Sequence, residues 1–215
     1  MESLKIPFLK PSNSGSALSE ISLLLQESES NIIGYAPWKK SFKTPVVSFL
    51  IAYADDCLYL KYRVEENCIT AKFREINDPV YKDSCVEFFV AFEDDQNYYN
   101  LEFNCLGTVL AAYGPGKENR IILPKELLKG ITSETFIRSP TENYNNNIIW
   151  EIILSIPIKT FLFHQLDNLS KKICRVNFYK CGDDLPEPHF LCWNNIVHDT
   201  PNFHLPAYFG LAKFL

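Results

Sequence analysis

A two-residue alternation, recurring in three widely separated segments, constrains the fold of this chain more than any other feature. In Cys85–Phe92 the even positions Val86, Phe88, Val90 and Phe92 are all large and apolar, and Glu87 stands on the other parity. In Tyr98–Asn104 the odd positions Tyr99, Leu101 and Phe103 are apolar, against Tyr98, Asn100, Glu102 and Asn104. Arg175–Cys181 repeats the pattern, with Val176 and Phe178 between Arg175, Asn177 and Tyr179. Successive side chains of a strand point to opposite faces, so each segment predicts a strand with one face in a core. Three polar and aromatic faces turned the same way would make one surface.

Other short runs rich in β-branched and aromatic residues predict further strands at Val46–Tyr53, Leu58–Val64, Thr108–Tyr113, Ile148–Ile156 and Tyr208–Phe214. Asp55-Asp56, the run from Glu93 to Asn97 and Cys105-Leu106-Gly107 punctuate them, and Gly107 can supply a positive φ in a tight reversal. Helical spacing is confined to short stretches. Leu18, Ile21, Leu24 and Leu25 predict one helix with Ser16 as its cap, Pro124–Lys129 a second ended by Gly130, and Pro157–Leu166 a segment closing one end of the molecule. The stretches 11–17 and 142–147 read as loops. Many strands and few helices argue for an all-β fold, a two-sheet antiparallel β-sandwich with a few short peripheral helices. An antiparallel meander is the simplest assembly. At 215 residues the chain fits one domain, with residues 1–30 as an N-terminal extension carrying the short helix.

Charge narrows the partners. The 26 acidic and 21 basic residues are scattered, giving a net charge of −5 without the basic block that a phosphate backbone would call for. No nucleic acid and no membrane partner is expected, since every apolar run is strand-sized. Seven cysteines, an odd number spread through strand-like segments, fit reduced thiols better than a disulfide framework, and no secretory leader is visible. Both readings favour the cytoplasm. Cys174, Cys181, His189, Cys192, His198 and His204 crowd the last fifth of the chain, but their spacing matches no paired zinc motif. Loop acids such as Asp55, Asp56, Asp94, Asp95, Asp183 and Asp184 could hold structural calcium, without forming an EF-hand pattern. No cofactor and no metal site is therefore expected. A nucleophile–base pair drawn from Cys181 or Cys192 with His189 or His198, or a carboxylate pair of Glu87 with Glu102 or Asp83, lacks any supporting motif.

Two stretches are more specific. Asp78-Pro79-Val80-Tyr81-Lys82-Asp83-Ser84-Cys85-Val86-Glu87-Phe88-Phe89, followed by Tyr99–Asn104 and Gly107, resembles the first signature of the family 9-like carbohydrate-binding domains. Asn177–Asp183, His189-Phe190, Trp193 and Pro201–Gly210 resemble the second, and Trp38 and Glu65 match the opening segment. The resemblance implies a β-sandwich without catalytic activity that holds a mono- or oligosaccharide in an aromatic clamp ringed by polar side chains. Carried across by position, it puts the first clamp ring at Tyr81, where sugar-binding members often have Trp, and an acidic hydroxyl ligand at Glu87. Asn104 falls on the neighbouring polar strand. The second ring is expected at Trp193, with Phe203 as the alternative. Arg175, Asn177 and Lys180 are expected to add hydrogen bonds. A structural or protein-interaction sandwich without sugar affinity shares every fold signal, and oligomeric state is not legible.

Overall fold

A computed structural model describes residues 1–11, 16–38, 43–139 and 147–215. Most of the predicted loops at 11–17 and 142–147 lie outside the described residues. Among the described residues thirteen strands form two sheets: β1 (Ser3–Ile6), β2 (Asn31–Ile32), β3 (Val46–Tyr53), β4 (Cys57–Glu66), β5 (Cys85–Phe92), β6 (Tyr98–Asn104), β7 (Val109–Gly114), β8 (Ile121–Ile122), β9 (Thr132–Arg138), β10 (Ile148–Pro157), β11 (Ile173–Cys181), β12 (Phe190–Cys192) and β13 (Gly210–Phe214). The larger sheet has the order β1-β13-β11-β5-β6-β7-β8, with β12 also paired to β11, and the smaller has β2-β3-β4-β10-β9. All pairings are antiparallel except β1 with β13. The fold is a β-sandwich.

A simple meander is not what forms. β5, β6 and β7 follow one another as hairpins, but β4 and β5 lie in different sheets, and β11 returns to pair with β5 while β10 pairs with β4. A single meandering sheet would leave the apolar parity of both β4 and β5 in water. Crossing between sheets buries each against the other. At the Asn104–Thr108 reversal Gly107 adopts φ +83°, as its lack of a Cβ allows.

Inside, the even residues of β5 meet the inward residues of β3, β4, β10 and β11. Phe178 stacks on Phe49 at 3.8 Å and on Phe88 at 5.1 Å between ring centroids. Burying a ring of this size contributes about 2–3 kcal/mol. Helix α1 (Leu18–Leu25) lays Leu18, Ile21 and Leu25 on part of the smaller sheet's outer face, against Ala52, Tyr59 and Ile153. Its N-cap position is Ala17, and no side chain of that residue caps it. Helix α2 is the single turn Lys125–Leu128, and Ile158–Thr160 is a 3-10 turn that brings Phe161 under Phe92 and Tyr99 at the end of the sandwich.

The larger sheet also packs on its second face. Its outward residues include three rings, Phe89, Tyr98 and Tyr179, which the segment 193–209 covers with Ile196, Phe203 and Phe209. Phe203 stacks flat on Tyr179, with centroids 4.1 Å apart and planes 12° apart. Asn177 ties this cover down. Its Nδ2 donates to the Asn194 and Tyr208 carbonyls at 3.0 and 3.2 Å, and its Oδ1 accepts from the Asn194 and Phe178 amides at 2.9 Å.

Candidate functional site

Between the outer face of the larger sheet and the end of this cover lies a cleft of about 270 Å³. Register creates its floor. Glu87 of β5 stands directly opposite Glu102 of β6, and Cys85 of β5 directly opposite Cys181 of β11, all on the outward parity. Tyr81, Phe190 and Phe203 supply its rings, and Arg120, Lys117, Asp183, Asn100, Asn202 and His204 its polar groups. Tyr81 is positioned by the 3-10 turn Val80–Lys82 that precedes β5.

Few of the charges on this floor are paired. Glu102 is 4% exposed; its Oε1 accepts from Asn100 Nδ2 at 2.6 Å, while its Oε2 has no hydrogen-bond partner. Burial pushes Glu102 up to about 7, Asp183 adds to the effect, and Asn100 and Arg120 oppose it. Glu87, 3% exposed, is raised well above the usual carboxylate range by burial and by Glu102. The partner of its Oε1 is the Cys181 thiol, which donates at 3.0 Å. Arg120 crosses the Tyr98 ring at 4.5 Å and donates to the Gly116, Tyr98 and Ala112 carbonyls and to Asn100 Oδ1, yet its buried Nε is unpartnered. His204 sits against Tyr98, whose hydroxyl is 2.8 Å from Nδ1. Burial, with Arg120 and Lys117 nearby, holds this imidazole down at about 3, so it is neutral.

Of the eight residues singled out from sequence, Tyr81, Glu87 and Phe203 line the cleft and the other five do not. Trp193 is a core residue, set edge-on to Phe178 at 5.6 Å and Phe49 at 6.3 Å. The second ring of the cleft's wall therefore comes from Phe203, the alternative. Asn104 holds a turn and the loop before β5: Nδ2 donates to Phe73 O and Asp83 Oδ2, and Oδ1 accepts from the Leu106 and Thr108 amides. Arg175 donates to the Asp95 carbonyl, and Asn177 anchors the cover as described. Lys180 shares the parity of Val176 and Phe178 and so points inward. There its ammonium is fully buried, 3.0 Å from Glu66 Oε2 and 2.8 Å from His189 Nε2. Arg120, Lys117 and Asn202 were missed, because they sit in loops without periodicity. Glu102 and Asn100 were visible as outward residues of their strand.

A two-sheet sandwich with a cleft of rings, buried acids and a guanidinium on one outer face defines a β-sandwich domain equipped for a small polar ligand. The sequence matches the model of carbohydrate-binding family 9 over residues 19–214, and the chain belongs to that family. A Bacteroides uniformis protein, provisionally described as carbohydrate-binding, is 32% identical, with a TM-score of 0.91 over 100% of this chain and 99% of that one. A family 9 carbohydrate-binding module from Caldicellulosiruptor kristjanssonii, solved with cellotriose, is 14% identical and shares the fold at a TM-score of 0.60, covering 99% of this chain and 93% of that one. The same organism's module solved with glucose gives 0.57 at 14% identity, over 100% and 96%. No curated protein matches the sequence. No helix among the described residues is long and apolar enough to cross a membrane.

Proposed function

We propose that the cleft binds a mono- or oligosaccharide without transforming it, with Tyr81 and Phe203 as apolar platforms and Glu87, Glu102 and Arg120 as hydroxyl partners. The observation that carries this reading is the pair of orphaned groups in a ring-walled cleft: Glu102 Oε2 and Arg120 Nε are buried without a partner. A buried polar atom left unmade costs about 1–3 kcal/mol, which a ligand hydroxyl would return. Sugars present such hydroxyls beside a C–H face that lies against an aromatic ring. Family membership points the same way, as do the cellotriose and glucose held by the two similar modules. Because burial raises both acids toward neutrality, they can donate as well as accept, as paired sugar hydroxyls require.

Calorimetric titration with glucose, cellotriose and a panel of other soluble glycans tests the reading. Saturable binding is expected, weakened about tenfold or more in Arg120→Met, since a hydrogen bond to a charged group is worth about 1.5–3 kcal/mol, and weakened in Glu102→Gln. Tyr81→Ala should weaken it as well, and no reducing sugar should be released from the oligosaccharides. Absence of binding across the panel by protein with an intact unfolding transition would leave the sandwich as a structural or protein-interaction domain.

A further inference from the structure

The floor of the cleft holds two thiols that sugar binding does not explain. Cys85 Sγ, Cys181 Sγ and a Glu87 carboxylate oxygen all lie within 4.8 Å of one another, and all three residues are buried. Among the described residues this is the sole such group of three. It joins the two family-signature segments, because β5 and β11 bring Cys85 and Cys181 into direct register and Glu87 follows Cys85 on the same outward parity. Lone buried cysteines pack as small hydrophobes. Two of them closed around a carboxylate are a different chemical object, since a thiol is a weak donor and cannot satisfy a buried acid.

We infer that Cys85, Cys181 and Glu87 form a site for one divalent cation of the zinc class, reached from the cleft. Two sulfurs and one oxygen suit zinc or cadmium, whereas magnesium and calcium take all-oxygen shells. In a tetrahedral zinc site donor atoms sit about 3.5–3.8 Å apart, given Zn–S of about 2.3 Å and Zn–O of about 2.0–2.2 Å. The three donor atoms, all within 4.8 Å of one another, lie at most about 1 Å outside that spacing. Glu87 and Cys181 line the cleft, so a fourth ligand would come from that side. Binding involves no redox change: the two thiol protons, and any proton on Glu87, pass to solvent as the metal–sulfur and metal–oxygen bonds form.

The site shares Glu87 with the sugar reading and is tested by a separate measurement. Reduced, metal-free protein is titrated anaerobically with cadmium, and the ultraviolet thiolate-to-cadmium charge-transfer band is followed. The band should saturate at one equivalent, be displaced by zinc, and ignore magnesium and calcium. Cys85→Ala and Cys181→Ala should each remove the stoichiometric step. Glu87→Gln, which keeps both thiols and the side-chain shape, should weaken cadmium about tenfold or more, as loss of even an outer-shell partner does. Cys57→Ser and Cys68→Ser, at the two less buried thiols, should leave it unchanged. No stoichiometric step in the fully reduced wild type, or a step that survives in Cys181→Ala and Glu87→Gln, overturns the site. Glycan titration of the metal-free protein reads the sugar site independently.

Discussion

Each sheet of this sandwich carries a groove on its outer face, and the two are chemically unlike. On the smaller sheet a groove of about 300 Å³ is lined by Lys61, Arg63, Glu151 and the serines Ser28, Ser30 and Ser48. Its charges are matched: Lys61 lies 2.9 Å from Glu151 and donates to Ser22 Oγ at 3.0 Å, and Arg63 lies 3.8 Å from the same acid. On the larger sheet the cleft is of similar size, but its acids face each other and its guanidinium nitrogen is orphaned. The difference arises from coverage. The smaller sheet's groove leaves its ions partly solvated, so they settle among themselves. The 193–209 cover strips water from the larger sheet's outer face, where the unmatched polar groups raise the energy of the empty state. Volume alone would not tell the two grooves apart; unmet hydrogen-bonding capacity does.

Removing the anchor of the cover should therefore have the largest effect. Asn177→Ala takes partners from two carbonyls and two amides at once, and several of these groups stay buried. A loss of about 2–4 kcal/mol is expected in urea unfolding, together with loss of glycan binding. A variant with wild-type stability would show that the rings Phe203 and Phe209 hold the cover without Asn177, and the comparison would then rest on apolar packing.

How much of this could be read beforehand depends on the kind of signal. Strand parity located β5, β6 and β11 and turned Glu87, Asn100 and Glu102 to one face, because alternation is a local property. The same parity also pointed Lys180 inward, toward Glu66, although the residue was expected in the site. Expectation failed where the determinant is long-range. Trp193 and Phe203 both sit in the C-terminal signature, and which one enters the core is decided by chain path. Trp193 packs so closely on Gly210 that a Cβ there would lie 2.6 Å from its ring. The strands β1, β2, β8, β9 and β12 were missed because their burial is partial and most are only two to four residues long. Arg120 belongs to a loop after Gly114-Pro115-Gly116 and reaches Tyr98 only through the fold.

Acid should loosen the cover. His204, within the cover, is held at about 3 by burial and by Arg120 and Lys117, against an ordinary value of 6.5, with Tyr98 beside its ring. A folded-state value below the unfolded one means that the unfolded chain binds the extra proton. The penalty is absent above about 6.5 and grows as pH falls toward 3, by at most about 1.4 kcal/mol per pH unit. Glu102, raised to about 7, works in the opposite sense, so total stability is a poor readout. The informative quantity is the difference between wild type and His204→Phe in urea unfolding from pH 7 to pH 4. Wild type should lose ground to the variant across that range, and parallel curves would mean that His204 takes up its proton without opening the cover.

The smallest effect is expected where the comparison predicts redundancy. Glu151 is 19% exposed and Lys61 13%, so water still shares their solvation, and Arg63 and Ser22 offer alternatives when one partner goes. A double-mutant cycle of Lys61→Met and Glu151→Gln should give a coupling of less than about 1 kcal/mol, shrinking with added salt, as partly solvated pairs do. The cycle discriminates because this pair and the acids of the cleft all lie on outward strand faces, under different cover. A salt-insensitive coupling of about 3 kcal/mol or more would mean that this groove is as dehydrated as the cleft. Coverage could then no longer explain why one face keeps its ions matched and the other leaves Glu102 and Arg120 unsatisfied, and the cause would have to lie in which charges the strand register places opposite one another.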